Sequence, residues 1–346
     1  MVRPRPLIVL GAGPVGLLAA IRGRQLRLDV EIHSNDVTLA QSPRVECVPS
    51  QVIALLVEFG VSPKALGVEA LFTERILQWS DRTPIAAPTP AAAHVGRPAL
   101  EEALREVALC SGATIHRMQD GRLDEFEQRH RAGDCLLLDA SGRAAITAIE
   151  RATPRQPIVA RLLQIPMRPD LHRPGLMIAA GPEGYAYRLG NATTLTLAVV
   201  GRGDFVRGRG RQIVATVKDF APWLVDGIRG EDLQPGASGP ASMQWSLEDG
   251  SSISIGDANF ARDALASQGL AIGFSDALKA VATAHQRPSL DSERHAAIEL
   301  HRRRVSEQIG TSAFKSSPAW VDYARFLADM TAPATRSDVS PAAHAS

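Results

Sequence analysis

The stretch LIVLGAGPVGLLAAIRGRQ, Leu7 to Gln25, decides the fold. Leu7 to Leu10 is the short unbroken apolar run of a strand buried on both faces. Gly11, Gly13 and Gly16 follow at once, and the Ala- and Leu-rich segment from Leu17 to Gln25 continues as a helix. At this spacing the first glycine permits a tight turn, the second lets the backbone approach a pyrophosphate, and the third lets the helix pack against the strand. The phosphates then meet the helix N-terminus, whose unpaired N–H groups and dipole favour an anion. Val30, Ile32 and Ser34 alternate as a second strand and complete a dinucleotide-binding βαβ unit.

The ribose contact departs from the usual pattern. Glu31 lies about where such folds carry an acid, but alternation with Val30 and Ile32 puts it on the opposite face of the strand. Ser34, twenty-three positions past Gly11, holds the strand-end place. We expect Ser34, or Asn35 beside it, to reach the adenosine ribose through a neutral hydrogen bond.

Composition bounds the rest. The chain has 346 residues, 45% of them apolar, enough for one large or two modest cores. With 38 Lys plus Arg against 37 Asp plus Glu, nothing electrostatic calls for nucleic acid or an acidic membrane. Cys47, Cys110 and Cys135 are scattered and odd in number, which argues against a disulfide framework and suits a cytoplasmic location. The run at Leu7 is too short for a signal peptide or a membrane span. None of the nine histidines pairs with Asp, Glu or Cys at metal-ligand spacing, so no metal is expected.

Pro49 to Gly60 and Pro98 to Cys110 carry helical spacing, the second behind Arg97. Thr83 to Ala93, with Pro84, Pro88 and Pro90 among alanines, suggests a surface loop. From Val159 the period becomes two: VARLLQI, GLMIAA, GYAYRL and TTLTLAVV are four consecutive strands. Ile253 to Ile255 is a last strand, and Leu270 to Ala284 a helix. The expected architecture is α/β with α+β character. Residues 1–155 and 246–330 form a discontinuous Rossmann-type domain, 156–245 an inserted β-sheet substrate domain, and 332–346 a disordered tail.

Three further segments resemble the FAD-dependent aromatic hydroxylase and flavin-dependent halogenase superfamily. In RVECVPSQVIALLVEFGV, Arg44 takes the place of an Arg that reaches the FAD pyrophosphate, and Glu46 and Pro49 retain part of a halogenase-like Gly, Glu, Ser, any residue, Pro pattern. In HVGRPALEEALREVALCSGATI, Arg97 opens a helix and would lean on the FAD phosphates or the flavin edge. The third segment, SIGDANFARDALASQGLAIGFSDALKA, resembles the motif in which Gly, Asp fixes the ribityl chain and a loop ending in Gly, Leu cradles the ring. Gly256 and Asp257, then Gln268, Gly269 and Leu270, hold those places. The thirteen positions from Gly256 to Gly269 match the family spacing. Its proline is replaced by Ala264, which leaves the loop less rigid. LDASGR, 138–143, resembles a further flavin-domain motif.

The resemblance implies an FAD-dependent monooxygenase in which reduced flavin supplies the oxygen chemistry while the protein binds, orients and excludes water. No side chain is thereby assigned a catalytic step. Halogenases add a channel lysine and a Trp, any residue, Trp segment; LFTERILQWSDRTP has no lysine, EGYAYRLG has no such pair, and the one nearby lysine, Lys64, sits in the turn after Gly60. The remaining pattern resembles the flavin monooxygenases that hydroxylate tryptophan in a partner protein during tryptophylquinone maturation. Glu46, Trp79, Tyr185, Tyr187 and Trp245 are the candidate pocket residues; the two tyrosines share one strand face. His94, close before Arg97, is a possible base but reads more simply as a satisfied loop histidine. Electrons would come from NAD(P)H or a separate flavin reductase. A hydroxylase of a free small aromatic, a prenyl-reductase-like oxidoreductase and a flavin-binding redox protein without turnover stay open as alternatives.

Overall fold

The computed structural model describes residues 5–35, 44–152, 158–173, 175–241, 244–247, 250–262, 269–282 and 291–329. The N-terminal part runs β1 (Leu7–Leu10), α1 (Pro14–Gln25), β2 (Val30–Ser34), β3 (Val45–Pro49), α2 (Ser50–Glu58), β4 (Phe72–Gln78), β5 (Ile85–Gly96) and α3 (Arg97–Cys110). Next come β6 (Thr114–Arg117), α4 (Arg122–Ala132), β7 (Leu136–Asp139) and β8 (Glu150–Ala152). The middle holds β9 (Val159–Pro166), β10 (Leu176–Gly181), β11 (Gly184–Gly190), β12 (Thr194–Gly201), α5 (Gly210–Phe220) and β13 (Gln234–Pro240). Last are β14 (Gln244–Leu247), β15 (Ile253–Ser254), α6 (Asp257–Phe260), α7 (Gly269–Ala282), α8 (Asp291–Thr311) and α9 (Pro318–Asp329).

The first sheet is parallel, in the order β15-β7-β1-β2-β6. All four residues of β1 are buried, because helices cover both of its faces. Leu7 and Val9 meet the apolar side chains of α1, α3 and α7, whereas Ile8 and Leu10 meet Phe126 of α4. The α/β architecture expected from the sequence is therefore present.

The second sheet has eight strands in the order β13-β9-β12-β11-β10-β4-β5-β3. Its pairs are antiparallel except β10 with β4. One face packs on Ile213 and Val217 of α5; on the other, Tyr185 and Val200 pack with Ile298 and Val305 of α8 and Trp320 of α9. The four strands expected between 159 and 201 are all there. Because β3, β4 and β5 join the same sheet, a division at 155/156 does not separate the two sheets.

The segment 83–93 is not the loop its prolines suggest, since β5 pairs with β4 along 85–92 and with β3 only along 92–96. Pro88 and Pro90 fall where one edge of the strand has no neighbour, so their missing N–H groups cost no ladder bond there. The expected disordered tail lies outside the described residues.

Candidate functional site

A cleft of about 530 Å³ opens beyond the carboxyl ends of the parallel strands. Gly11, Ala12 and Gly13 follow β1, Ser34 ends β2, Ala140 to Arg143 follow β7, and Ile255 and Asp257 follow β15, all of them lining it. In this sheet the chain crosses to one side of β1 through β2 and to the other through β7, which makes this end the topological switch point where open α/β sheets bind ligands. The opposite wall is the second sheet, through Ala160, Leu162, Ile178, Tyr185 and Tyr187.

The glycines do separable work. Gly11 has φ of +108°, and a Cβ there would meet the Ala140 carbonyl oxygen at 2.5 Å; only glycine allows β1 and β7 to end this close together. A Cβ on Gly16 would lie 2.1 Å from the Gly11 oxygen, so this position seats α1 on its strand. Gly13 differs: its added Cβ would find only Arg97 Nη2, at 3.9 Å. The second glycine thus faces open space at the helix start, as approach by a phosphate requires.

Arg44 and Arg97 come together on Glu46, which neighbours β5 through the β3 pairing. Glu46 accepts from Arg44 Nε at 2.8 Å, from Arg44 Nη2, and from Arg97 Nη1 at 3.0 Å. Arg97 Nε also donates to Glu101 at 2.5 Å, one turn along α3. Burial pushes the Glu46 carboxyl up, but the two guanidiniums outweigh it and hold it below the usual carboxylate range. Burial, reinforced by Glu46, pushes the Cys47 thiol up to about 11, so the thiol of this cleft residue stays protonated at neutral pH.

The 138–143 segment is positioned by the fully buried Asp139. Its carboxylate accepts from the Ser141 N–H at 2.9 Å and from the Thr147 N–H and hydroxyl at 3.0 and 2.8 Å. That fixes the turn and aims Arg143 across the cleft, where its Nε lies 3.8 Å from Asp257. Gly256, with φ of +59°, receives the N–H groups of Asn259 and Phe260 on its carbonyl and so starts α6 with Asp257 facing the cleft. Val15 of α1 packs against both Gly256 and Gly273 of α7, which ties the glycine turn to the second motif.

Of the sequence-predicted residues, Gly11, Gly13, Ser34, Arg44, Glu46, Arg97, Tyr185, Tyr187, Asp257, Gly269 and Leu270 line the cleft. Gly16 and Gly256 support it from behind. Gln268 lies outside the described residues. Glu31 turns away as its alternation predicts, its carboxylate 3.1 Å from His33 Nε2.

Trp79 is not at the cleft. It is 7% exposed, its indole N–H donates to the Gln308 carbonyl at 2.8 Å, and its ring meets the edges of Tyr185 and Trp320. The expectation of a pocket residue gives way here to core packing beneath α8 and α9. Trp245 lies in β14 opposite Ala152, and its side chain is outside what the structure describes. His94 holds its Nδ1 2.7 Å from the Gly190 carbonyl, and burial lowers its pKa; it too stands outside the cleft.

Tyr185 and Tyr187 lie with ring centres 6.4 Å apart and near-parallel planes. Burial pushes the Tyr187 phenol up to about 12, against the opposing pull of Arg44. Arg143 and Arg262 also line the cleft; Arg143 ends the 138–143 segment and Arg262 lies in the segment after Gly256, at positions to which the resemblance gives no role. Among the described cleft residues there is no lysine. No group of three His, Cys, Asp or Glu side chains among the described residues could hold a metal, and no described helix is long and apolar enough to cross a membrane.

No family model matches the sequence, and no curated protein matches it. Solved structures do match in fold. The peptidyl tryptophan dihydroxylase QhpG, essential for tryptophylquinone cofactor biogenesis, is 19% identical, with a TM-score of 0.70 over 92% of this chain and 78% of that one. The myxobacterial chondrochloren halogenase CndH is 16% identical, with a TM-score of 0.71 over 92% and 85%. Xcc4156, a flavin-dependent halogenase from Xanthomonas campestris, is 12% identical, with a TM-score of 0.69 over 95% and 81%. The chain has the fold of FAD-dependent monooxygenases and halogenases, as the resemblance in its motifs implies.

Proposed function

We propose that this chain binds FAD in the cleft and acts as a monooxygenase on an aromatic substrate, with tryptophan in a partner protein or peptide as the leading candidate. The observation that carries the reading is the convergence of four strand ends on the cleft, where a Cβ added at Gly13 would find only Arg97 Nη2, at 3.9 Å. A volume of about 530 Å³ lies in the range of cofactor-sized sites. In this reading the glycine turn and the two arginines hold the pyrophosphate, Ser34 the ribose, and Asp257 the ribityl chain, with Gly269 and Leu270 beside the ring. Glu46 orients both arginines. FAD, when bound, would supply the oxygen chemistry.

The protein's own contribution is placement. Tyr185, Tyr187, Leu162 and Ile178 offer a largely apolar wall against which an aromatic ring can stack and from which water is excluded. The peptide substrate is favoured by the structural likeness to a peptidyl tryptophan dihydroxylase. Halogenation is disfavoured by the lack of lysine among the described cleft residues.

The test is the visible spectrum of the FAD-reconstituted protein, followed through anaerobic reduction with NADH, NADPH or dithionite and then exposure to oxygen with tryptophan-bearing peptides or free aromatics. A retained flavin and a product one oxygen heavier support the reading. Reduction by dithionite alone points to a separate flavin reductase. A protein that retains no flavin overturns it.

A further inference from the structure

Among the described residues four guanidinium groups line the cleft, those of Arg44, Arg97, Arg143 and Arg262. Three have carboxylates at hand: Arg44 and Arg97 share Glu46, Arg97 also holds Glu101, and Arg143 stands 3.8 Å from Asp257. Arg262 has none within ion-pair distance among the described residues, and Asp276 and Asp257 favour its charge only from farther off. Yet it is the most enclosed of the four, at 7% exposure. Its Nη1 donates to the Phe260 carbonyl at 3.2 Å, and its Cζ lies 4.8 Å from the centre of the Phe260 ring.

A guanidinium stays charged when buried, and here burial outweighs the pull of Asp276 and Asp257, so the charge is left incompletely compensated. Stacking on Phe260 leaves the in-plane N–H groups as the donors available to a ligand, and only Nη1 is engaged. That planar fork matches a carboxylate, which it can bind bidentately. Its neighbours also differ from those of the two arginines that share Glu46. The preceding Ala261 bridges to Gln244 of β14, and Phe260 packs edge-on against His301 of α8, whereas Arg44 and Arg97 flank the glycine turn.

We propose that Arg262 is the anion-recognition residue of this cleft and that the aromatic substrate carries a carboxylate, which this guanidinium holds. The inference rests on the reading of the cleft as an aromatic-substrate site. In a free substrate the carboxylate belongs to the aromatic acid itself; in a peptide it is an Asp or Glu side chain beside the aromatic residue.

Calorimetric titration of the FAD-reconstituted protein tests this, with indole-3-acetate against indole-3-acetamide and with a tryptophan peptide carrying a flanking Glu against the same peptide with Gln. At least one acid should bind about tenfold more tightly than its neutral partner, the scale of a charge-assisted hydrogen bond. Which pair shows the preference identifies the source. R262Q should bring the pair within about twofold, and R262K, which keeps the charge but not the fork, should weaken the acid several-fold. Equal binding of acid and amide in both pairs, or a preference that survives in R262Q or is unchanged in R262K, overturns the proposal. So does loss of FAD from R262Q with the carboxylate preference intact, which would assign the guanidinium to the cofactor's phosphates. Protein that shows the Arg262-dependent preference but holds no flavin overturns the flavoenzyme reading and not the anion site.

Discussion

Replacing Gly13 by Ala should remove FAD binding strength while leaving the fold untouched, and the surroundings of the residue set both magnitudes. Gly13 has φ of −74°, which any residue adopts, and its Cβ would have no neighbour nearer than Arg97 Nη2 at 3.9 Å. Alanine is a poorer cap than glycine by about 1 kcal/mol or less, and the stiffer unfolded chain offsets much of that, so the net cost to folding is a few tenths of a kcal/mol. The methyl group would instead stand where a pyrophosphate must approach the first N–H groups of α1. Losing one charge-assisted hydrogen bond there costs about 1.5–3 kcal/mol, which raises the dissociation constant of FAD about 10- to 150-fold. The assay is quenching of flavin fluorescence as apoprotein is titrated with FAD, with urea unfolding of the apoprotein in parallel. Gly16→Ala is the contrasting variant: its Cβ at 2.1 Å from the Gly11 oxygen should cost about 1–3 kcal/mol of stability through overpacking. If G13A bound FAD within about threefold of the wild type with its stability unchanged, the pyrophosphate would not lie on this turn and the assignment would fail.

Glu46→Gln should lower stability by about 1–3 kcal/mol at neutral pH, because the carboxylate shared by Arg44 and Arg97 becomes a neutral amide. As the folded carboxyl titrates below its ordinary value of 4.5, its contribution is fully present above that pH and fades as the pH falls through the folded pKa; urea unfolding at pH 7 and pH 4 should show the gap between wild type and E46Q narrowing, and a constant gap would contradict the ion-pair account. Trp79→Phe should cost about 1 kcal/mol by removing one of the hydrogen bonds the Gln308 carbonyl accepts, the Thr311 hydroxyl keeping another, while leaving FAD affinity unchanged, and a selective loss of flavin would return Trp79 to the cleft. Incubation with bromide, reduced flavin, oxygen and an indole should give no brominated product detectable by mass spectrometry, and bromination that vanished in Lys64→Met would reverse the reading of that lysine.

What the sequence made legible was what the chain encodes over short distances. The order strand, glycine turn, helix is written within Leu7 to Gln25, and the face that Glu31 occupies follows from alternation with its neighbours. What stayed hidden depends on partners far along the chain. Thr83 to Ala93 looks like a loop by composition, yet from Ile85 onward it is a strand because β4 and β3 pair with it, Pro88 and Pro90 falling where one edge has no neighbour to ask for their N–H. Trp79 looks like an aromatic pocket residue until α8, some 230 positions later, supplies the carbonyl its indole bonds.

Arg143 and Arg262 belong to the second kind. Each lies in a motif-like segment but at a position to which the motif gives no role, and each gains meaning only where the ends of β7 and β15 bring the segments together, with Arg143 Nη2 donating to the Arg262 carbonyl at 2.8 Å. The division has a physical basis. Cofactor phosphates are met by backbone groups whose geometry a local glycine pattern specifies, whereas substrate is met by side chains that converge from distant elements. A sequence of this fold therefore declares its cofactor more readily than its substrate, and the substrate has to be inferred from the charges and faces that folding assembles. In this cleft those are an apolar tyrosine-bearing wall and one enclosed guanidinium with no carboxylate within ion-pair distance among the described residues.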